Sequence, residues 1–445
     1  LTRWRQDSLA QAVLLSLTVM SRQRMVTVNK QGDIFHWRRW GRFTLAMLLT
    51  GGIAGVAGWL VALLLHSVQH LVYGYSLDAV ISSESFLQGV SDAAPWRRFT
   101  VLMAAGGVAG IGWYGLYRYG RCLVSVRDAL RASSPRMPPR ESMLHAALQV
   151  ITVGMGSPLG RESAPRELGA LGAERLAFVL GVTQQQTRTL IACGAGAGLA
   201  AVYNVPLAGA LFTLEVLLKS WRARAVIPAL VCCVIATLVA RIGLGDEYQY
   251  HMPGYRVTEG LLLWSLLFGP LFGGAGVLFA RLGRLAEAHS TRDVRLIREN
   301  LLAFLLLALL SLWLPQLPGN GKGAAWLSFN SDVGITLAWL LLCVKVVVQM
   351  AALRAGARGG LMTPALANGA LLACILGSLW LKLWPGTALG AFAVVGAGAF
   401  LSASMGMPLT ALLLVLELTH ISTDFLLPLL LAIIGATVAR RLLGS

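Results

Sequence analysis

From residue 43 onward the chain is a succession of apolar runs separated by short polar connections, and the lengths of those runs set the first expectations. The runs at 43–72 and 96–119 are long enough to cross a bilayer as helices, which takes roughly 20 residues for about 30 Å of hydrocarbon. Both are rich in Gly and Ala, which lets helices approach closely. Further runs follow at 143–155, 168–182, 187–203, 207–218, 225–242, 260–282, 301–314, 333–353, 361–383, 389–404, 409–420 and 425–443. Several fall well short of a full span. Short hydrophobic segments interrupted by Gly or Pro predict broken helices that meet near the midplane. The basic, Pro-containing stretch at 118–140 lies at a surface, and RLAEAHSTRDVRLIREN from Arg284 is expected as a second polar connection. At the start, 1–43 forms a basic cytoplasmic or interfacial segment, in which the run 9–20 is too short to span and reads as an interfacial helix.

Composition turns this pattern into a class. Of 445 residues 56% are hydrophobic and 13% charged, with a mean hydropathy of +0.68. That describes an integral membrane protein with one transmembrane domain over 44–445 and no soluble domain. The net charge of +17 is scattered over loop ends, which fits orientation and anionic lipid and excludes a nucleic-acid surface. Six cysteines without a CxxC pair read as buried reduced thiols. His66 and His70 sit four apart with no Glu between them, so they are expected to pack helices rather than bind zinc. No metal or cofactor is implied.

The chain repeats itself. GAGAGLAAVYNVPLAGALFTLEV from Gly194 matches GAGAFLSASMGMPLTALLLVLEL from Gly396, and the pairs Gly194/Gly396, Pro206/Pro408 and Glu215/Glu417 share one interval of 202. LGRESAP at 159–165 aligns with RGGLMTP at 358–364 at an interval of 199. Each of these two is a glycine turn that opens a helix with Pro in its first turn, where the missing N–H costs nothing. Two helix N-termini, one per repeat, can therefore converge on one anion, each acting as roughly half a positive charge. Partial charges also let the ion leave, as conduction requires.

The densest candidate chemistry is GMGSPLGRESAPRELGALGA at 154–173, which puts Arg161, Glu162, Arg166 and Glu167 in apolar surroundings. Each charge at membrane depth costs about 2.5–3.5 kcal/mol on insertion scales, so a cluster marks a pathway, a site or a paired lock. From the residues alone, Glu162 is as well read as an ion pair with Arg161 or Arg166 as it is a gate. Arg166 and Glu167 are expected as structural company, and Arg161 and Arg358 as packing or pathway-mouth cations. The repeat equivalence of Glu215 and Glu417 argues for a shared structural role in accepting hydrogen bonds.

The four stretches GSPLGRESAP, YNVPLAGALFTLEV, ARGGLMTPALANG and GMPLTALLLVLELT, in this order and spacing, resemble the CLC family of chloride channels and chloride/proton exchangers over 42–445. The resemblance implies an all-α integral membrane protein of two inverted repeats of tilted, partly broken helices, about 44–243 and about 255–445. It also implies a homodimer, multi-pass in a bacterial inner membrane, with chloride and, in exchangers, protons as the transported partners. Glu162 falls on the family's gating glutamate. Gly160, Arg161, Glu162, Ser163 and Ala164, with Gly360, Leu361, Met362 and Thr363, then form the anion-binding set.

The chain departs from the family at four places. Near Gly120, Arg121 or Cys122 stands where the serine of an inner anion site would be. Met362 replaces a phenylalanine, and no tyrosine matches the one that closes the inner mouth. Val216 occupies the position of the inner proton-transfer glutamate. The expected function is chloride transport gated by a glutamate, as a channel or a weakly proton-coupled exchanger. A fluoride-selective relative is the alternative that the missing serine suggests. An intramembrane hydrolase built on Ser157 is a distant one, because no histidine has a supporting motif.

Overall fold

A computed structural model describes residues 41–74, 85–131, 136–246 and 248–444; the interfacial helix expected at 9–20 lies outside them. The first half contains α1 (Gly41–Tyr73), α2 (Phe86–Asp92), α3 (Pro95–Tyr119), α4 (Val126–Arg131), α5 (Pro139–Gly154), α6 (Ser163–Leu180), α7 (Gln184–Tyr203), α8 (Pro206–Phe212) and α9 (Ala223–Leu244). The second contains α10 (Glu259–Ala288), α11 (Arg295–Trp313), α12 (Lys322–Phe329), α13 (Ile335–Arg354), α14 (Met362–Trp380), α15 (Leu389–Met405), α16 (Pro408–Thr419) and α17 (Leu426–Leu442). Among the described residues, eight helices are long and apolar enough to cross a membrane: α1, α3, α9, α10, α11, α13, α14 and the last, counted from Thr423. α8, α15 and α16 are shorter apolar helices, as expected of segments that stop inside the bilayer.

The two halves break their central helices in the same way. α7 ends on Asn204 at φ 58° and α15 on Gly406 at φ 69°, both left-handed caps. Two residues later Pro206 and Pro408 open α8 and α16, where a proline without an N–H is at no disadvantage. Gly and Ala make α7 and α15 thin, so both are buried along most of their length. α6 crosses α7 where Gly169 and Gly194 lie backbone to backbone, each in space that a methyl group on the other would need.

Glu215 and Glu417 fasten the halves to each other. Glu417 accepts from the N–H groups of Leu207 (2.9 Å) and Ala208 (2.7 Å) at the start of α8. Glu215 accepts from Leu409 N–H (3.1 Å), Thr410 N–H (2.8 Å) and the Thr410 hydroxyl (2.7 Å) at the start of α16. Each carboxylate satisfies orphan donors at the positive end of the other repeat's helix. Such reciprocity is what a two-fold relation between the repeats produces. The shared structural role read from their spacing is realised as this cross-capping.

Three short helices, α2, α4 and α12, were not legible in the hydrophobic pattern. The connection expected from Arg284 is mostly helical, because α10 continues to Ala288 and α11 starts at Arg295. Asn300, at the end of that polar stretch, is wholly buried, and its amide donates to the carbonyls of Leu296 (2.9 Å) and Ala355 (2.6 Å).

Candidate functional site

The glycine turns that open α6 and α14 lie back to back. Gly160 N–H donates to Gly360 O (2.7 Å) and Gly360 N–H to Gly160 O (2.8 Å), a two-residue antiparallel bridge. It brings two helix N-termini, 199 residues apart in sequence, to one point.

Glu162 is the N-cap of α6, yet its side chain does not cap its own helix. It is wholly buried and crosses to α14. Oε1 accepts from Met362 N–H (2.6 Å) and Thr363 N–H (3.4 Å), and Oε2 lies 3.4 Å from the Thr363 hydroxyl. A Cβ at either Gly160 or Gly360 would overlap this carboxylate, so glycine at both positions makes its seat. Among the described residues no cation lies within ion-pair distance of the carboxylate. Arg166 instead donates to the main-chain oxygen of Glu162 (2.8 Å) and to Ser163 Oγ (2.8 Å). The ion-paired reading of Glu162 is therefore not what the geometry contains. Tyr203 Oη, 3.2 Å from Thr363 Oγ1, completes the surroundings.

Two cavities end at this point. One, of about 770 Å³, is lined by Met362, Thr363, Tyr203 and Arg161, and further out by His66 and Lys322. Arg161 is 6% exposed, its guanidinium stands 5.3 Å over the Tyr203 ring, and Nη1 has no hydrogen-bond partner among the described residues. The other cavity, of about 690 Å³, is lined by Ser163, Gly359, Tyr117, His145, Glu167 and Arg358. α1 runs from Gly41 past His66, and α3 returns from Pro95 to Tyr117, so the two cavities open towards opposite ends of the spanning helices. Glu162 stands between them.

The remaining expected residues sort by cavity. Ala164 is fully buried in the core beside the α6 start, and Leu361 is the N-cap of α14. Gly120, Arg121 and Cys122 line the second cavity. Arg121 N–H donates to Glu141 (3.2 Å). Glu141 stands outside the spanning helices, and backbone N–H groups, its own first and that of Arg121 second, hold its carboxyl below the ordinary carboxylate range. Arg358 also lines the second cavity, paired with Glu287 (2.5 Å) and donating to Tyr117 Oη (3.1 Å). Val216 lies in a π-helical turn, Thr213–Leu218, and packs its side chain against the core. His66, expected to pack helices, is half-buried and also lines the first cavity, which Arg161 shares.

Two features escaped the sequence reading. Tyr117 flanks the pathway without belonging to a motif, and Tyr203, although it opens the stretch YNVPLAGALFTLEV, was given no role. Glu167, taken as structural company, faces the second cavity and pairs with His145 Nδ1 (2.8 Å). His145 and Gln149, four apart on α5, carry a helix-face signal, but nothing in their spacing says that this face meets α6.

A model of the voltage gated chloride channel family matches residues 101–441. The chain belongs to that family. The putative chloride channel protein ClcB-like of Ralstonia nicotianae is 31% identical over 424 residues, covering 90% of this chain and 94% of its own length. The H(+)/Cl(-) exchange transporter ClcA of Vibrio campbellii is 33% identical over 307 residues, 66% of this chain and 65% of that relative, so the match spans just under two thirds of it. Among solved structures, a slow cyanobacterial Cl-/H+ antiporter superposes with a TM-score of 0.78 at 24% identity, covering 91% of this chain and 95% of the other. A CLC-type fluoride/proton antiporter gives 0.64 at 22% identity, covering 89% and 94%. At these identities the likeness is one of fold, and that fold is the expected one: two inverted repeats of tilted, partly broken helices.

Proposed function

We propose that the protein moves chloride across a bacterial inner membrane in exchange for protons, with Glu162 as the gate that both ions use. The observation that carries this reading is the Glu162 carboxylate itself, buried on the α14 N–H groups between two cavities that open to opposite sides. A carboxylate there mimics an anion, so chloride takes the seat only when the side chain leaves. A proton on the carboxylate removes the charge that competes with chloride, which links the two ions at one place.

The field around the pathway agrees. Arg161, Arg241 and Lys322 line the first cavity with no acid among its described lining residues, so that mouth attracts anions, whereas in the second Arg121, Arg292 and Arg358 are matched by Asp128, Glu167 and Glu287. The basic stretch 118–140 and the N-terminal segment place the second cavity on the cytoplasmic side by the positive-inside rule. Residues 44–445 act as one transport unit, with the anion held by the N–H groups at the α6 and α14 starts. Assembly is as a homodimer, as the family resemblance implies, with no enzymatic step.

Vesicles containing the purified protein test the reading. An imposed chloride gradient should drive protons uphill, and Glu162→Gln should abolish that proton movement while chloride still flows. Chloride flux without proton movement in the unaltered protein would leave a channel. Fluoride flux well above chloride flux in the same vesicles would favour the fluoride-selective alternative, which the substituted stretch near Gly120 motivates.

A further inference from the structure

Val216 leaves the usual inner position without a group that can hold a proton, yet the cavity below Glu162 contains one elsewhere. We infer that the His145–Glu167 pair, bridging α5 and α6 in the wall of the second cavity, is the site where a cytoplasmic proton is loaded before it passes to Glu162. The inference rests on the exchange reading above.

The geometry provides for a shared proton. His145 Nδ1 and Glu167 Oε2 are 2.8 Å apart, with side chains only 13% and 20% exposed. A contact that short between a ring nitrogen and a carboxylate oxygen needs one proton between them, on the ring or on the carboxyl. Gln149 Nε2 lies 2.9 Å from the same Nδ1 and 3.4 Å from the same Oε2. The Gln149 amide therefore sits beside the shared proton and can turn its nitrogen or its oxygen to the pair, whichever group carries that proton. The cluster accommodates a proton in two ways without moving the backbone.

The cavity wall also offers anchors for water. Gln149 is 1% exposed with Oε1 unpartnered, and Ser142 is 2% exposed with Oγ unpartnered. Both line the cavity beside the pair. Buried polar atoms without a protein partner in a polar, roomy cavity are where ordered water sits. Ser163, next to Glu162, lines the same cavity, so water there reaches the start of α6. Glu162 and Glu167 are five residues apart, about 7.5 Å along the helix axis and about 140° around it, so the water chain has to pass round the start of α6 at Ser163.

The transfer balances. The Glu167 carboxyl releases its proton into the water chain, the Glu162 carboxylate receives one at the other end, and Glu167 is recharged from cytoplasmic water through His145. The charged and titratable groups facing the pair set its field. From α6 comes Arg166, directed at Ser163. Tyr117 comes from α3, Arg121 and Cys122 from the segment after it, and Asp128 from α4. Arg292 precedes α11, and the Arg358–Glu287 pair closes the far wall. Glu141, at the head of α5, is occupied by Arg121 N–H. Trp113 stands edge-on to the His145 ring at 6.4 Å.

The test uses vesicles with the full chain and a chloride gradient, with a pH electrode and a chloride electrode in one chamber. Counting only preparations that pass chloride removes misfolded protein from the comparison. Glu167→Gln should lower the ratio of protons to chloride at least tenfold and His145→Gln at least threefold, whereas Glu167→Asp should keep at least half of it. If Glu167→Gln passes no chloride, the His145→Gln ratio decides alone. An unchanged ratio in the Gln variants, with coupling present in the unaltered protein, overturns this inference and leaves exchange standing. An unaltered protein that moves no protons overturns both.

Discussion

Replacing Glu162 by Gln keeps the shape of the side chain and removes its charge, so the loss can be worked out contact by contact. The short bond is Oε1 to Met362 N–H at 2.6 Å, and the two contacts with Thr363 at 3.4 Å are weak. A hydrogen bond to a charged group contributes about 1.5–3 kcal/mol and a neutral one about 0.5–1.5 kcal/mol, a difference of about 1–1.5 kcal/mol. The α14 N-terminus adds up to about 2 kcal/mol for a partly buried negative charge. The Thr363 hydroxyl can accept from the Gln amide, so that contact is not lost. Together the variant should hold its seat more weakly by up to about 3–3.5 kcal/mol, at most on the order of 100- to 300-fold, since 1.4 kcal/mol is tenfold. Chloride binding by titration calorimetry should tighten by up to that factor. In vesicles, flux through the unaltered protein should rise as pH falls, because protonation vacates the seat, while flux through the variant should be flat with pH. A Glu162→Gln protein with the original pH dependence and the original chloride affinity would refute the reasoning.

Other outcomes follow from the same structure. Gly360→Ala puts a methyl group where the Glu162 carboxylate lies; its flux should lose pH dependence without exceeding that of Glu162→Gln, whereas Gly52→Ala, with open space around it, should behave as the unaltered protein in the same efflux assay. Glu417→Ala leaves two N–H groups of α8 without their acceptor and Glu215→Ala leaves three donors of α16. The bonds from Leu207 and Leu409 are exposed and the others half-buried, so each loss costs less than the about 1–3 kcal/mol of a fully buried donor; thermal unfolding in detergent should shift down for both and further for Glu215→Ala, with the proton-to-chloride ratio of surviving protein unchanged. Glu141 has its carboxyl held below the ordinary value of 4.5 by backbone N–H groups. Its contribution is therefore complete above that value and is lost as pH falls through the lower folded value. Hydrogen exchange should show Arg121 N–H more protected at pH 7 than in strong acid, and unprotected throughout in Glu141→Ala, which has no acceptor there.

Most of the architecture was legible because a bilayer restricts the choices. A backbone in hydrocarbon must satisfy its own hydrogen bonds, so apolar runs of these lengths become helices. Runs too short to span, punctuated by Asn204–Pro206 and Gly406–Pro408, had to break inside. The candidate gate was legible for a similar reason, since an acid between glycines at a helix start has few roles at membrane depth. The short helices α2, α4 and α12 were not, because burial by neighbouring helices, more than their own periodicity, holds them in place.

The sequence by itself determined the class, the repeat, the two glycine-opened helix starts and Glu162 as the residue to watch, because these depend on composition and on intervals along one chain. Only the tertiary structure decided which groups each carboxylate meets. Glu162 turns away from Arg161 and Arg166 to the α14 N–H groups 200 residues on, Glu215 and Glu417 exchange helix ends across the repeats, and Glu167 faces His145 over a cavity. Hydrogen bonds act over about 3 Å, and which atoms come that close depends on how helices distant in sequence cross. No spacing along the chain records that.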